Sequence, residues 1–209
     1  MNADLQARLR AARIIPVLTI HDVAHAVPLA KALVAGGLPV LEVTLRTPAA
    51  LAAVAAICRQ VPAALVGLGT VTSPDQLAMA EDLGLAFAFS PGVSQTLMAA
   101  AARRNITFIP GVATASELMS ALDYGLSTVK LFPAMASGGI AMLRALAGPF
   151  PAVAFCPTGG ITPENSRDFL REQNVVAVGG TWLASAAEQA TAAWDVIRAR
   201  AARAVELSG

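Results

Sequence analysis

The sequence predicts a single α/β domain folded as a (β/α)8 barrel, also called the TIM barrel, and three observations point to that fold. Short apolar runs of strand length alternate eight times with alanine-rich helical segments, which is the pattern of βαβ units and a parallel sheet. The runs are continuous, so both faces of each strand should be buried. Polar residues follow the ends of many strands, as at the mouth of a barrel. A doubly wound sheet would also bury its strands, but eight successive units favour the barrel.

Each predicted strand is an apolar run between turn signals. The eight strands are expected at residues 14–20, 40–45, 64–69, 86–90, 106–110, 128–132, 152–156 and 175–178. Residues that can cap or open a helix stand where the following helices should begin. These starts are Asp22, Thr47-Pro48, Ser73-Pro74, Ser94, Thr114, Thr162-Pro163 and Ser185. Glycines suited to the left-handed position at a helix end follow at Gly36-Gly37, Gly84 and Gly125.

Length and composition fit one domain over residues 1–209, with a short N-terminal helical segment at about 1–13. The longest uncharged run, 83–102, could span a bilayer by length, but Ser90-Pro91-Gly92 interrupts it, so a strand, a loop and a helix fit better.

No signal peptide is evident, and Cys58 and Cys156 are too few for a disulfide framework. The net charge of +1 gives no reason to expect nucleic acid or an anionic membrane. We therefore expect a cytoplasmic protein.

Lys130 is the most informative single residue. It is one of only two lysines, and Val129 and Leu131 flank it within a predicted strand. Such an apolar setting disfavours the charged ammonium, and a neutral amine is a nucleophile. A strand-end lysine can also extend its amine to solvent or form a structural ion pair. The other lysine, Lys31, lies in a predicted amphipathic helix, where a solvated face explains it.

Glu42 lies inside the second predicted strand, where an unpaired charge would cost several kcal/mol. It therefore needs a partner, and Arg46 or Lys130 could provide one. A structural ion pair and a catalytic role fit this pattern about equally well. Arg46, at the strand end, could bind a carboxylate with two hydrogen bonds or could be a surface charge.

Two glycine-rich segments follow strands seven and eight, residues 158–163 and 179–183. Barrels frequently bind phosphate at these two loops through backbone N–H groups, although Gly-Gly pairs also serve simply as tight turns. Phe132 and Pro91 could be core residues or a wall against a carbon chain. His21 and His25 have the spacing of a metal pair, but no carboxylate or cysteine cluster joins them, so we expect no metal site.

The sequence resembles the 2-keto-3-deoxy-6-phosphogluconate (KDPG) and 4-hydroxy-2-oxoglutarate (KHG) aldolase family over nearly its whole length. The motifs that carry the resemblance are Ile15-Pro16-Val17, Ala32-Leu33-Val34-Ala35-Gly36-Gly37, Leu41-Glu42-Val43-Thr44-Leu45-Arg46-Thr47, Gly69-Thr70-Val71, Ser90-Pro91-Gly92, Ile109-Pro110-Gly111, Ser116-Glu117-Leu118-Met119, Asp123-Tyr124-Gly125, Lys130-Leu131-Phe132-Pro133-Ala134, Cys156-Pro157-Thr158-Gly159-Gly160-Ile161 and Gly179-Gly180-Thr181-Trp182-Leu183.

The resemblance implies a role for each matching residue. Lys130 matches the Schiff-base lysine and Glu42 the proton-transferring glutamate. The remaining matches are Arg46 and Thr70 for the pyruvate carboxylate, Pro91, Phe132 and Thr158 for the substrate pocket, and Gly159, Gly160, Gly179, Gly180 and Thr181 for the phosphate. Thr181 stands where the family often has serine, which keeps the hydroxyl. The resemblance also implies a homotrimer and a Schiff-base reaction that needs no cofactor.

Several functions remain open at this stage. On the same chemistry, the substrate could be KDPG, 4-hydroxy-2-oxoglutarate or the galactonate-derived C4 epimer of KDPG. A phosphate-binding barrel isomerase or epimerase could use Glu42 as its base and Lys130 only as a charge. A non-enzymatic barrel could bind a phosphorylated metabolite without turning it over.

Overall fold

The computed structural model of the chain describes residues 3–208, which form an α/β fold with parallel strands. The helices are α1 (Ala3–Ala12), α2 (Val23–Ala35), α3 (Ala50–Gln60), α4 (Pro74–Asp82), α5 (Gln95–Ala101), α6 (Ala115–Asp123), α7 (Gly139–Ala147), α8 (Pro163–Leu170), α9 (Ala186–Ala190) and α10 (Trp194–Ser208). The strands are β1 (Ile14–Leu18), β2 (Val40–Thr44), β3 (Leu65–Gly69), β4 (Phe87–Phe89), β5 (Thr107–Ile109), β6 (Gly111–Val112), β7 (Thr128–Leu131), β8 (Ala154–Phe155) and β9 (Val178–Gly180).

The strands pair as two parallel sheets. One has the order β5-β4-β3-β2-β1-β9 and the other the order β6-β7-β8. Only Pro110 separates β5 from β6. At the other side, isolated bridges join Phe155 to Val175 and Thr158 to Gly179. This curled parallel arrangement confirms the predicted α/β class, whereas the closed eightfold ring remains a proposal.

The eighth strand differs most from its prediction. It was expected at 175–178, but β9 begins at Val178 and includes Gly179 and Gly180, which pair with Ile15 and Pro16 of β1. Val175 forms only the isolated bridge to Phe155. Apolar character identifies buried residues, and both segments are buried. It does not identify which of them pairs with a neighbouring strand, and glycine gives no side-chain signal.

The helix-start predictions hold for six of seven positions. Side-chain oxygens cap the helix N-termini by accepting a backbone N–H two or three residues ahead, at Asp22, Ser73, Ser94, Thr114, Thr162 and Ser185. The prediction at Thr47 is wrong, because its hydroxyl donates to the Ile20 carbonyl at 2.5 Å and α3 begins only at Ala50. The left-handed positions at helix ends are Gly37, Gly84 and Gly125, with φ of 89°, 66° and 74°.

Two apolar clusters hold the fold together. The larger packs the helices against the outer faces of the strands. The smaller lies on the inner face, where Phe87 and Phe89 of β4 and Cys156, just after β8, join Leu5 and Leu9 of α1. The inner cluster therefore forms an apolar base beneath any polar group that the strands turn inward. No helix among residues 3–208 is long and apolar enough to cross a membrane.

Candidate active site

Lys130 of β7 and Glu42 of β2 form an ion pair inside the curled sheet. The Lys130 Nζ atom donates to the two carboxylate oxygens of Glu42 at 2.9 and 3.2 Å. The two residues are 4% and 1% exposed. Burial at this depth is tolerated because each charge compensates the other. Of the two partners predicted for Glu42, the structure selects Lys130.

Two aromatic rings flank the Lys130 amine. The Nζ atom lies 4.9 Å from the centroid of the Phe89 ring and 5.4 Å from that of the Phe132 ring. A cation above an aromatic face is attracted by the ring quadrupole, and the attraction is strongest away from water. The Lys130 amine is therefore shielded from solvent, and the two rings favour a positive charge on its nitrogen.

Gly69, at the end of β3, makes room for the Glu42 carboxylate. A Cβ atom at this position would lie 2.3 Å from Glu42 Oε1. Thr70, the next residue, has φ of 61°, a left-handed conformation that non-glycine residues rarely adopt. Such conformations cost about 1–3 kcal/mol and concentrate at functional sites. The chain thus leaves β3 in a strained turn directly beside the ion pair.

A cavity of about 430 Å³ opens near the ion pair. It gathers seven of the predicted site residues on its wall: Arg46, Phe132, Thr158, Gly159, Gly160, Gly179 and Thr181. Phe132 connects the two regions, since its ring borders the cavity and also faces Lys130. The remaining predicted residues are not on this wall. Of these, Lys130 adjoins the cavity through the Phe132 ring, with Glu42 as its ion-pair partner. Thr70, Pro91 and Gly180 lie at or just after the ends of β3, β4 and β9.

The two glycine-rich loops form one side of the cavity. Gly159 and Gly160 have φ of 100° and 77°, and a Cβ on Gly160 would lie 2.7 Å from the Met135 side chain. A Cβ on Gly179 would lie 2.3 Å from the Thr158 hydroxyl oxygen. Glycine is thus required both by the turn and by the close approach of neighbouring side chains. At Gly180 the space is occupied by the Trp182 ring, which is not part of the cavity wall.

A family model described as "KDPG and KHG aldolase" matches residues 5–200. The chain belongs to this aldolase family. A KHG/KDPG aldolase of Escherichia coli K12 is 50% identical over 205 residues, which are 98% of this chain and 96% of that protein. A 2-dehydro-3-deoxy-phosphogluconate aldolase of Dickeya dadantii is 50% identical over 197 residues, 94% of this chain and 92% of that protein.

Solved structures agree with this membership. The KDPG aldolase of Legionella pneumophila, crystallised with pyruvate captured as a covalent carbinolamine, superposes with a TM-score of 0.92 at 43% identity, covering 95% of this chain and 97% of that one. The KDPG aldolase of Zymomonas mobilis with 3-phosphoglycerate gives a TM-score of 0.84 at 44% identity, covering 94% and 95%.

In this aldolase-family chain, sequence reasoning missed several cavity residues: Val17, Pro133, Met135, Ala136 and Ile161. All are apolar, so nothing in their chemistry distinguishes them from core residues. Met135 stands out among them in the structure, because its large apolar side chain remains 48% exposed beside a glycine-rich loop. Only the fold shows that exposure.

The cysteines and histidines lie outside the reactive pair. Burial raises the pKa of the Cys156 thiol to about 12, although nearby Lys130 acts in the opposite direction. Burial also raises the pKa of Cys58, so neither thiol is activated. His25 packs edge-to-face on Trp194 at 5.7 Å. Among residues 3–208, no group of three His, Cys, Asp or Glu side chains could hold a metal ion.

A larger cavity, of about 640 Å³, lies between α8 and α10. Its wall includes Arg167, Trp182 and Arg203 but none of the predicted site residues. The smaller cavity is the candidate active site, because it adjoins the buried ion pair and the glycine-rich loops.

Proposed function

We propose that the chain is a class I aldolase that cleaves 2-dehydro-3-deoxy-6-phosphogluconate to pyruvate and glyceraldehyde 3-phosphate, a reaction of the Entner–Doudoroff pathway. The observation that carries the proposal is the buried Lys130–Glu42 pair beside a cavity of substrate size. The family's curated relatives named for this substrate support the choice among the alternatives.

Schiff-base formation begins with a proton moving from Lys130 to Glu42 along their 2.9 Å hydrogen bond. The neutral amine attacks the C2 keto carbon, a C–N bond forms, and the carbonyl oxygen takes up a proton from the nitrogen. Glu42 returns its proton to the resulting hydroxyl, which leaves as water. The product is a protonated imine, in which the nitrogen is positive and withdraws electrons from C3.

Carbon–carbon cleavage uses the same two groups in turn. The Glu42 carboxylate removes the proton of the C4 hydroxyl, the C3–C4 bond breaks, and its electron pair moves into the imine to give a neutral enamine. Glyceraldehyde 3-phosphate leaves. Glu42 then protonates C3, and water hydrolyses the imine to release pyruvate and regenerate the amine. One buried carboxylate suffices because it is base and acid in alternate steps.

The cavity wall offers a group for each part of the substrate. Arg46 is the charged residue among the described wall residues of the cavity, so it is the group there that can pair with the substrate carboxylate, with Thr70 beside it. Pro91, Phe132 and Thr158 bound the carbon chain. The phosphate lies against Gly159, Gly160, Gly179, Gly180 and Thr181. Gly159, Gly160 and Thr181 are the solvent-accessible members of this set, and backbone N–H groups in such glycine-rich turns favour an anion. The Gly179 N–H itself donates to the Pro157 carbonyl, so Gly179 contributes close approach of the backbone. No step in this scheme requires a cofactor or a metal ion.

We propose a closed eight-stranded barrel in one domain over residues 1–209, supported by the single-residue break between β5 and β6 and by the bridges from β8 towards β9. The family resemblance supports a homotrimer, for which sedimentation should give a mass of about three times 21.3 kDa. We also propose a cytoplasmic location without nucleic-acid or membrane partners, and cell fractionation tests it.

The decisive experiment combines product release with trapping. The wild type, Lys130→Met and Lys31→Met are incubated with the substrate and a chelator, and pyruvate is measured by a coupled assay. Pyruvate with borohydride should leave a stable adduct on the Lys130 peptide. Lys31 is a matched control, since it is the only other lysine and is exposed on α2. An adduct elsewhere, or pyruvate release by Lys130→Met, would contradict the assignment.

The same assay separates the alternatives. An enzyme specific for 4-hydroxy-2-oxoglutarate would show no preference for a phosphorylated substrate in kcat/KM, and a C4 epimer preference would appear with the galactonate-derived substrate. An isomerase or epimerase would convert substrate without releasing pyruvate or forming an adduct. A binding protein would retain the sugar phosphate unchanged.

A further inference from the structure

Phe89 is an aromatic residue of β4 that lies close to the reactive amine and that the mechanism above does not use. Its ring centroid is 4.9 Å from Lys130 Nζ, nearer than that of Phe132. The side chain is fully buried in the inner apolar cluster. Like Lys130 and Glu42, Phe89 is not part of the cavity wall, and its nearest functional group is the Lys130 amine.

The position of the Phe89 ring is fixed by its neighbours. Phe87, two residues earlier, packs against it edge-to-face, with centroids 5.3 Å apart and planes at 73°. Gly67 on β3 provides the space for Phe87, because a Cβ there would lie 2.0 Å from the Phe87 ring. A ring held in this way presents the same face to the nitrogen at every stage of a reaction.

The nitrogen changes its charge during the proposed reaction. It is positive as the resting ammonium, neutral in the carbinolamine, positive again in the protonated imine, and neutral in the enamine. Glu42 cannot compensate these changes independently, since its own charge alternates as it moves protons. The quadrupole of an aromatic ring is permanent, so it favours the cationic forms whatever the protonation state of the carboxylate.

We infer that Phe89 stabilises the protonated imine on Lys130 through its ring face, shifting the bound intermediate from the carbinolamine towards the imine. In this step Glu42 donates a proton, the C2–O bond breaks, water leaves, and the nitrogen lone pair forms the C=N⁺ bond. The inference rests on the proposed Schiff-base function. The reacting nitrogen is the former Nζ atom and stays tethered to the Lys130 side chain, within reach of the ring.

The test removes the quadrupole without changing the shape of the side chain. Phe89 is replaced by phenylalanines carrying one, two and three ring fluorines, and each protein is saturated with pyruvate and treated with borohydride, which reduces imine but not carbinolamine. The initial rate of reduction reports the imine fraction, because carbinolamine has not yet refilled the imine pool. This rate should fall stepwise with each fluorine, by roughly tenfold over the series. The kcat should fall with it, while KM changes little. Phe89→Leu should resemble the trifluoro protein.

The same fluorine series at Phe87 is the matched control. Phe87 is equally buried, and its ring packs on Phe89, so a purely structural effect of fluorination should be as large there. A flat response at Phe89, or an equal response at Phe87, would overturn the inference. A wild type that forms neither adduct nor pyruvate would instead overturn the aldolase function itself, so the two failures are distinguishable.

Discussion

Replacing Gly69 with alanine should greatly lower the catalytic activity, because it displaces the carboxylate of Glu42. The added Cβ would lie 2.3 Å from Glu42 Oε1, 2.7 Å from its Cγ and 2.8 Å from its Cδ. An ordinary contact begins near 3.4 Å, so the carboxylate oxygen must move by about 1.1 Å. The backbone of Gly69 is not in the left-handed region, so alanine adds crowding but no backbone strain.

The displacement is large compared with the 2.9 Å hydrogen bond that it disturbs. A misplacement of about 1 Å in a reacting pair can lower the rate by roughly a hundredfold. We therefore expect Gly69→Ala to lower kcat by about two orders of magnitude with a smaller change in KM. Overpacking at a buried position should also destabilise the fold by about 1–3 kcal/mol.

The assay is a coupled pyruvate-release measurement together with a thermal melt. Gly148→Ala is the matched control, because Gly148 ends α7 with helical φ and ψ and a Cβ there would meet no atom closer than 4.0 Å. It should leave both kcat and stability nearly unchanged. Wild-type turnover in Gly69→Ala would refute the reasoning that Glu42 must be held in this position to exchange protons with Lys130.

Three further changes test other parts of the structure. Lys130→Met should lower the free energy of unfolding by about 3 kcal/mol, because Glu42 is left as a buried unpaired charge. Adding Glu42→Leu removes that charge, so the double variant should recover part of the lost free energy in a denaturant titration. Arg46→Ala should raise KM by roughly tenfold and leave the melting temperature unchanged, since the side chain is exposed; a loss of stability instead would contradict a binding role. A hydrogen bond from Arg200 lowers the pKa of Glu188 from 4.5 to about 2, so its stabilisation is complete above pH 4.5 and is lost as the pH falls towards 2. Glu188→Gln should remove about 1 kcal/mol of that acid-dependent stability, and an unchanged pH profile would count against the pair.

The sequence predicted the polar part of the site better than the apolar part. A charged residue inside an apolar strand is conspicuous, because burial demands a partner. The sequence therefore pairs Glu42 with Lys130 or Arg46, and only the fold selects Lys130 between them. An apolar residue in an apolar strand gives no such signal. From the sequence, Phe89 is indistinguishable from a core residue. Its closeness to the Lys130 amine depends on how β4 and β7 curl towards each other, which the sequence does not show.

Helix capping shows the same limit. Thr162 and Ser185 were recognisable caps because the motif acts within three residues. Thr47 looks the same locally, but its hydroxyl bonds to the carbonyl of Ile20, which lies 27 residues earlier in the chain. Local chemistry gives a residue the capacity to cap a helix, and a distant partner decides whether the capacity is used.

The strand glycines connect these two kinds of information. Gly67, Gly69 and Gly179 each lie where a side chain would collide with one from a neighbouring strand or the loop after it: the Phe87 ring, the Glu42 carboxylate and the Thr158 hydroxyl respectively. Glycine within a strand weakens it, so its presence calls for a reason. In this fold each of these glycines leaves space on the inner face of the sheet for a neighbouring side chain. The occupants are the ring that supports Phe89, the reactive carboxylate and a wall residue of the cavity. A glycine in a predicted strand thus marks where a neighbouring side chain needs room, but the identity of that side chain follows only from the register between strands.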